Sequence, residues 1–173
     1  MKLRQKVLIS LCFALSLGLA ALSACADQAG QEPGANPSSG LEVAAVLTVE
    51  TEDAVAGLHF EYTVNGTLTG GLMVQPQTVF PPGETVTAAF PLDPERPPVR
   101  DSVPFGLYLA VVAEDGTQFP VPVYCQWEAD LETPCTLTLR GSKTVGYALS
   151  ADGKSPVLTL TPYSQLSQDQ IPF

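Results

Sequence analysis

The sequence predicts an all-β protein, built as an antiparallel β-sandwich in a single domain over residues 41–161. Two observations support this prediction. Apolar residues recur at every second position in about nine short segments, and turn-forming residues separate those segments. The chain has 16 proline and 14 glycine residues, yet 45% of its residues are hydrophobic, so it can bury a core. Because strands with one apolar face pack as two layers, we expect a sandwich without helices.

The predicted strands follow one another along the chain with turns between them. Asn65-Gly66 favours a type I′ hairpin turn, because both of its central residues need a positive φ. Pro82-Gly83 and Glu114-Asp115-Gly116 mark two further turns, and a loop with five prolines covers residues 91–104. The nine predicted strands lie at residues 41–50, 58–64, 68–74, 86–90, 105–112, 119–125, 136–139, 145–149 and 157–161, with 157–161 following a turn at 151–154.

The hairpin of the second and third strands requires a β-bulge. A two-residue turn at Asn65-Gly66 alone would place Phe60 opposite Gly71 and would turn Leu72 to the polar side. One residue inserted at Gly70-Gly71 restores the pairing of Leu72 with Phe60.

Two later strands have predicted positions within their sheet. The strand at 105–112 is apolar on both faces, which is typical of a central strand. The strand at 119–125 has Pro120 and Pro122, which cannot donate to a neighbouring strand. We therefore expect it at an edge or with a bulge.

The first 24 residues have the pattern of a signal peptide. Three basic residues precede a 15-residue apolar run, which is shorter than the roughly 20 residues of a membrane-spanning helix. The run ends at Leu22-Ser23-Ala24-Cys25, which resembles the lipobox of bacterial lipoproteins. The resemblance implies that Cys25 is lipidated and becomes the first residue of the mature chain. An ordinary secretory signal with an incidental cysteine is the alternative.

The resemblance also implies a location and an order of segments. Residues 25–40 would be the lipidated cysteine and a flexible tether rich in Ala, Gly, Pro and Ser, and residues 162–173 a polar C-terminal tail. The expected partner is the lipid bilayer, reached through Cys25 on the extracytoplasmic face of a bacterial membrane. The turn at Pro82-Gly83-Glu84 resembles those of bacterial extracytoplasmic immunoglobulin-like modules, which implies an immunoglobulin-like sandwich.

The charge of the chain excludes one class of partner. The formal net charge is −10, and Lys2, Arg4 and Lys6 supply all the charge of the first 24 residues. The remaining chain has 5 basic and 18 acidic side chains. Because so negative a surface repels phosphate, we expect no nucleic-acid binding.

The cysteines predict one disulfide. Cys12 would leave with the signal peptide and Cys25 would carry lipid, so Cys125 and Cys135 remain. A single pair in an exported chain is a candidate disulfide, and two buried thiols are the alternative. The spacing without a nearby histidine is a poor zinc site.

Catalytic motifs are lacking in the sequence. His59 is the sole histidine, and strand alternation turns it away from the core beside Glu61. No Gly-x-Ser-x-Gly, P-loop, dinucleotide-binding or zinc-protease motif occurs. We therefore expect no enzyme activity, no catalytic residue and no cofactor.

The segment between the two cysteines holds the candidate binding residues. Trp127, the sole tryptophan, would pack over the pair of Cys125 and Cys135, or else lie exposed and stack on a sugar ring together with Tyr124. Glu128, Asp130 and Glu132 alternate with apolar residues. They are weak candidates for calcium, which needs six to eight oxygen ligands, and a solvated acidic loop is the simpler reading.

Three functions follow as expectations. The first is a non-enzymatic binding or interaction module anchored outside a bacterial membrane, with a protein or glycan partner. The second is binding of carbohydrate or cell-wall fragments through Trp127 and nearby loop aromatics such as Tyr124. The third is an accessory subunit of a surface enzyme, or an enzyme whose site no motif reveals.

Overall fold

The computed structural model describes residues 41–95, 97, 102–151 and 156–173. The predicted signal peptide, Cys25 and the tether lie outside the described residues. Ten strands and two short 3₁₀ helices are present in the described part. The strands are β1 Glu42–Thr51, β2 Gly57–Val64, β3 Thr67–Val74, β4 Glu84–Pro91, β5 Ser102–Val112, β6 Gln118–Pro120, β7 Val123–Asp130, β8 Cys135–Ser142, β9 Gly146–Ala151 and β10 Thr159–Pro162, and the 3₁₀ helices are Tyr163–Gln165 and Gln168–Gln170.

The strands form two sheets, so the prediction of an all-β protein with two β-layers is confirmed. The four-stranded sheet has the order β4-β1-β8-β9, and the six-stranded sheet the order β10-β7-β5-β2-β3, with β6 pairing with β5. The prediction of purely antiparallel pairing is wrong at one place, because β1 and β8 are parallel. A parallel pair needs a long crossover between its strands, and here strands of the other sheet lie within that connection.

The core lies between the inner faces of the two sheets. The alternation predicted for β1 is confirmed, since Val43, Ala45, Leu47 and Val49 are all buried. Aromatic rings from both sheets meet at its centre. Phe90 of β4 lies 5.7 Å from the ring of Phe60 and 5.4 Å from that of Phe105. Ring pairs of this kind, in tilted or edge-to-face contact, add to the stabilisation by burial.

The hairpin of β2 and β3 has the predicted turn and register. Asn65 and Gly66 have φ values of 52° and 75°, as a type I′ turn requires. Leu72 pairs with Phe60, so the predicted shift is confirmed. The extra residue is Thr69, one position before the predicted glycine pair, because the register changes between Tyr62 and its neighbour Thr63.

Ten strands are found instead of nine because proline divides one predicted strand. The predicted strand at 119–125 is broken at Pro122 into β6 and β7, and both pair with β5. Pro122 has no backbone N–H, and the Val123 N–H turns back to donate to the Val121 carbonyl at 2.7 Å. The β7 strand then continues to Asp130, beyond the predicted end.

The last two strands differ from the prediction. Val145 does not belong to a strand and is 77% exposed, because β9 begins at Gly146, whose φ is +92°. The prediction that a turn at 151–154 joins two adjacent strands is wrong. β9 pairs with β8 in the four-stranded sheet, whereas β10 pairs with β7 in the six-stranded sheet. Residues 152–155 of that connection lie outside the described residues.

Candidate functional site

The central strand, β5, is unusually covered on the outer face of the six-stranded sheet, meaning the face turned away from the core. Tyr108, Ala110 and Val112 of β5 point outward, yet all three are buried. In a two-layer sandwich the outward residues are normally exposed to water. The prediction that this strand is central and apolar on both faces is therefore confirmed.

The C-terminal segment, residues 162–173, contacts this outer face at two points. The Tyr163 ring lies 6.0 Å from the Tyr108 ring, and the Tyr163 N–H donates to the Pro122 carbonyl at 3.0 Å. At the other end, the Phe173 ring contacts the His59 imidazole edge-on at 5.2 Å. The segment expected to be a polar tail thus contributes two aromatic rings to the outer face.

Two stacked tyrosines form the centre of the outer face. The Tyr124 ring of β7 stacks on the Tyr108 ring at 4.3 Å, and its hydroxyl lies 2.6 Å from the Thr63 hydroxyl. The Tyr124 ring reaches Thr63 by crossing over Gly106 of β5, where any side chain would collide with the phenol. Burial, together with the neighbouring Tyr124, raises the pKa of Tyr108 above its usual value.

A cleft of about 340 Å³ opens beside this pair, and it is the candidate functional site. Four adjacent strands border it, since β10, β7, β5 and β2 lie side by side, and its polar lining comes from three of them, β10, β7 and β2. Glu128 provides the carboxylate, and the exposed Val157 borders the cleft near Pro104. A cleft with these groups can hydrogen-bond a polar ligand, and its one carboxylate disfavours an anionic group placed beside Glu128. The neutral polar side chains that line it are Thr63, Tyr124, Gln126 and Thr159.

The structure places Trp127 in the core. Its side chain is 5% exposed, and its ring lies 4.9 Å from the Phe105 ring. Trp127 and Tyr124 are three positions apart in a strand, so their side chains point to opposite faces of the sheet. Both border the cleft, but the two residues are buried and offer no open aromatic face for a sugar ring.

The three acidic residues of this segment are not gathered around one point. Glu128 lines the cleft. Asp130 accepts the N–H of Glu132 at 2.8 Å and the hydroxyl of Thr133 at 3.2 Å, so it holds the turn between β7 and β8. Among the described residues, no group of three acidic, histidine or cysteine side chains is placed to hold a metal ion.

The predicted disulfide is not present in the structure. Cys125 of β7 and Cys135 of β8 are completely buried, and no bond joins their sulfurs. They belong to different sheets, and both pack in the core as small apolar side chains. Burial, and in second place the nearby Cys135, raises the pKa of the Cys125 thiol, so it stays protonated.

His59 lies on the outer face, as its strand position predicts. Its Nδ1 atom is 3.0 Å from the Gln118 side-chain oxygen, and its Nε2 atom is 3.2 Å from a Glu61 carboxylate oxygen. Both ring nitrogens therefore face oxygen acceptors, and in the described part of the chain neither is hydrogen-bonded to a serine hydroxyl or a cysteine thiol. These two side-chain contacts fix the position of the imidazole.

Sequence reasoning missed most of the cleft. The alternation of β7 turns Gln126 and Glu128 to the same face as Tyr124, and this signal was available. Thr159 could not be found in this way, because it reaches the cleft only through the pairing of β10 with β7.

Comparisons of the chain with protein-family models, with curated proteins and with solved structures found no match. Within the described residues, no helix is long and apolar enough to span a membrane.

Proposed function

We propose that this protein is a non-enzymatic binding or interaction module, anchored by lipid at Cys25 to the extracytoplasmic face of a bacterial membrane. The observation that carries the proposal is the order of its segments. A 15-residue apolar run ends at Leu22-Ser23-Ala24-Cys25, a polar tether follows, and β1 begins directly after the tether. This order suits a folded domain held at a short distance from a bilayer.

The fold supports the binding part of the proposal. Strands β10, β7 and β2 present hydroxyl, amide and carboxylate groups in one cleft, beside a part of the sheet face that is covered. His59, the sole histidine, is held by Gln118 and Glu61, and within the described residues it is not paired with a nucleophile. A rigid sheet that carries a small polar cleft is suited to recognition.

The anchor is tested by replacing the cysteine. We expect Cys25→Ser to lose incorporation of a labelled fatty acid and to leave the membrane fraction. Cys12→Ser is the matched control, because it removes a cysteine of the same N-terminal region and keeps the lipobox, so its label should be unchanged. Undiminished label on the Cys25→Ser protein would refute the anchor.

A second candidate function is the binding of carbohydrate or cell-wall fragments, and the chemistry of the cleft favours it. Three hydroxyls, an amide and a carboxylate are the groups that hydrogen-bond sugar hydroxyls. The interaction would be by hydrogen bonds rather than by stacking on Trp127, which is buried.

This second candidate is tested with purified, immobilised peptidoglycan. The parent protein should be retained, and Gln126→Ala and Glu128→Ala should reduce retention, because both side chains line the cleft. Glu114→Ala, an exposed acidic residue in the turn after β5, is the control and should bind like the parent. Equal retention of all variants would exclude the cleft as a glycan site.

Two expectations remain predictions. One is an accessory or enzymatic role at the cell surface, and the other is an immunoglobulin-like topology, suggested by the turn at Pro82-Gly83-Glu84. The positive φ of Gly83, 85°, is consistent with a tight turn at that point.

A further inference from the structure

Strand β3 forms a long free edge of the six-stranded sheet. It pairs with β2 on one side and with no described strand on the other. Its eight residues include no charged residue and no proline. The opposite end of the same sheet, β10, has only four residues and contains Pro162. Since proteins usually protect sheet edges with charge, proline or short length, β3 is the less protected of the two edges of this sheet.

Two large apolar side chains are exposed along this edge. Leu68 is 55% exposed and Met73 is 42% exposed. Directly opposite residues of an antiparallel pair share a face, and the partners of these two residues on β2 are Thr63 and His59, which both point outward. The extra residue at Thr69 thus brings Leu68 and Met73, five positions apart, to the same outer face.

We infer that the β3 edge binds a second copy of this chain by antiparallel pairing of the two β3 strands. A two-fold axis between Gly70 and Gly71 places Leu68 of each copy opposite Met73 of the other. Both residues lie on the outer face, so the pairing covers the two exposed apolar side chains of each copy. In the same register Thr67 lies opposite Val74, and their β2 partners show that both belong to the inner face.

The bulge at Thr69 is compatible with this pairing. A bulge changes the alternation of faces, and it usually makes an edge unsuitable for a straight partner. With two-fold symmetry each strand brings the same bulge. The resulting mismatch of faces then falls on Gly70 opposite Gly71, which carry no side chains to be misplaced.

The charge distribution favours a second copy over a basic partner. The lysine and arginine side chains within residues 41–95, 97, 102–151 and 156–173 are Arg140 and Lys143, at the end of β8 and just beyond it. A basic partner would be drawn to the many acidic positions of the surface, whereas β3 offers none. Two acidic copies repel each other less at β3, which has no charged residue of its own, and the neighbouring Glu61 carboxylate over Gly71 is 3.2 Å from the His59 Nε2 atom. The edge is also complementary to itself.

The register predicts which cysteines will cross-link between copies. In membranes that contain the full chain, the double variant Leu68→Cys with Met73→Cys should form a disulfide-linked dimer on mild oxidation, because opposite residues have Cβ atoms about 4.5–5.5 Å apart. Each single variant should stay monomeric, since the two copies of one position lie five residues, or about 17 Å, apart. The double variant Val145→Cys with Val157→Cys is the exposed control and should not cross-link.

A second measurement does not depend on disulfide formation. Two differently tagged copies of the full chain should co-precipitate from detergent extracts, and Leu68→Lys should reduce this to the level of the untagged control. Val145→Lys, at a more exposed apolar position, should have no effect. Monomers throughout, or equal loss with both lysine variants, would overturn the inference.

The outcome can be separated from that of the lipid anchor. The same samples are fractionated into membrane and soluble protein. Anchored protein without a dimer refutes the β3 pairing alone, whereas a dimer in the soluble fraction refutes the anchor alone.

Discussion

At the residue scale, neighbouring positions of β7 serve different parts of the molecule. Trp127 and Cys125 point into the core, while Tyr124 and Gln126 point to the outer face. The period of two in the sequence predicts this division, and the burial of Trp127 agrees with the packing interpretation. The sequence alone could not show that the two cysteines are not bonded to each other. An exported chain with two remaining cysteines favours a disulfide, but the sequence does not give the distance between the two sheets that carry them.

Trp127→Ala should lower the free energy of unfolding by about 3–5 kcal/mol, because it leaves a cavity against Phe105 in the core. Thermal unfolding followed by circular dichroism measures the change. Glu128→Gln is the control at the exposed neighbour, and it should stay within about 0.5 kcal/mol of the parent. An unchanged melting temperature for the alanine variant would contradict the packing described for the indole.

Tyr163→Phe should stabilise the fold by about 1 kcal/mol. The Tyr163 hydroxyl is buried and has no hydrogen-bond partner among the described residues, so its removal relieves a desolvation cost. Tyr124→Phe makes the same chemical change at a hydroxyl that is bonded to Thr63, and it should destabilise the fold. Differential scanning calorimetry of the two variants should show shifts of opposite sign. Shifts in the same direction would contradict this account.

The thiols of Cys125 and Cys135 should react only after unfolding. Burial raises the pKa of Cys125 and closes access to both sulfurs, so iodoacetamide should modify neither in the native protein. After denaturation without a reductant, peptide mass spectrometry should find both cysteines alkylated. Two unmodified cysteines in the denatured sample would instead indicate a disulfide.

At the element scale, the sequence predicts where the strands lie better than it predicts which strands pair with each other. Alternation located β1, β2 and β4, and the register conflict near Gly70 located the bulge to within one residue. The break at Pro122 was predicted only as an edge or bulge. The sheet to which β10 belongs could not be predicted, since adjacent strands in sequence usually pair and here the chain crosses between sheets. For the same reason the cleft, which β10 helps to form, could not be predicted.

Gly106→Ala should destabilise the domain, because a methyl group at this position collides with the Tyr124 hydroxyl and ring. Gly71→Ala is the matched control on the same sheet. Its methyl group would meet only the end of the Glu61 side chain, at 2.8 Å, and that side chain can move aside. Chemical denaturation should show a clear loss for Gly106→Ala and a small change for Gly71→Ala. Combining Gly106→Ala with Tyr124→Ala should recover part of the loss.

At the scale of the whole molecule, the C-terminal segment adds aromatic cover to one side of a two-layer sandwich. Tyr163 and Phe173 contact the outer face at separate points. Several partly or fully buried thiol and phenol groups of the domain have raised pKa values. The polar composition of residues 162–173 gave no signal for this docking, because only isolated aromatic residues make the contacts. The raised pKa values belong to Cys125, Tyr62, Tyr108, Tyr147 and Tyr163.

These raised pKa values predict that the protein loses stability in alkali. The unfolded chain would release protons from cysteine near pH 9.0 and from tyrosine near pH 10.0, whereas burial raises the pKa of Tyr147 to about 12 in the fold. The stabilisation is therefore complete below about pH 9 and decreases as the pH rises. Melting temperatures between pH 7 and 11 test this. In Cys125→Ala the melting temperature should begin to fall at a higher pH, closer to pH 10. A melting temperature of the parent protein that stays constant up to pH 11 would contradict the predicted loss of stability.

The parallel pairing of β1 with β8 has a consequence for the time course of folding. Ala45 lies beside Cys135, so this pair joins residues ninety positions apart. A loop of this length must close before β1 gains its β8 neighbour, and closing a long loop costs more chain entropy than closing a short one. Until that loop closes, β1 can pair only with β4. Because contacts this distant in sequence close late, the four-stranded sheet should be the slow part of folding.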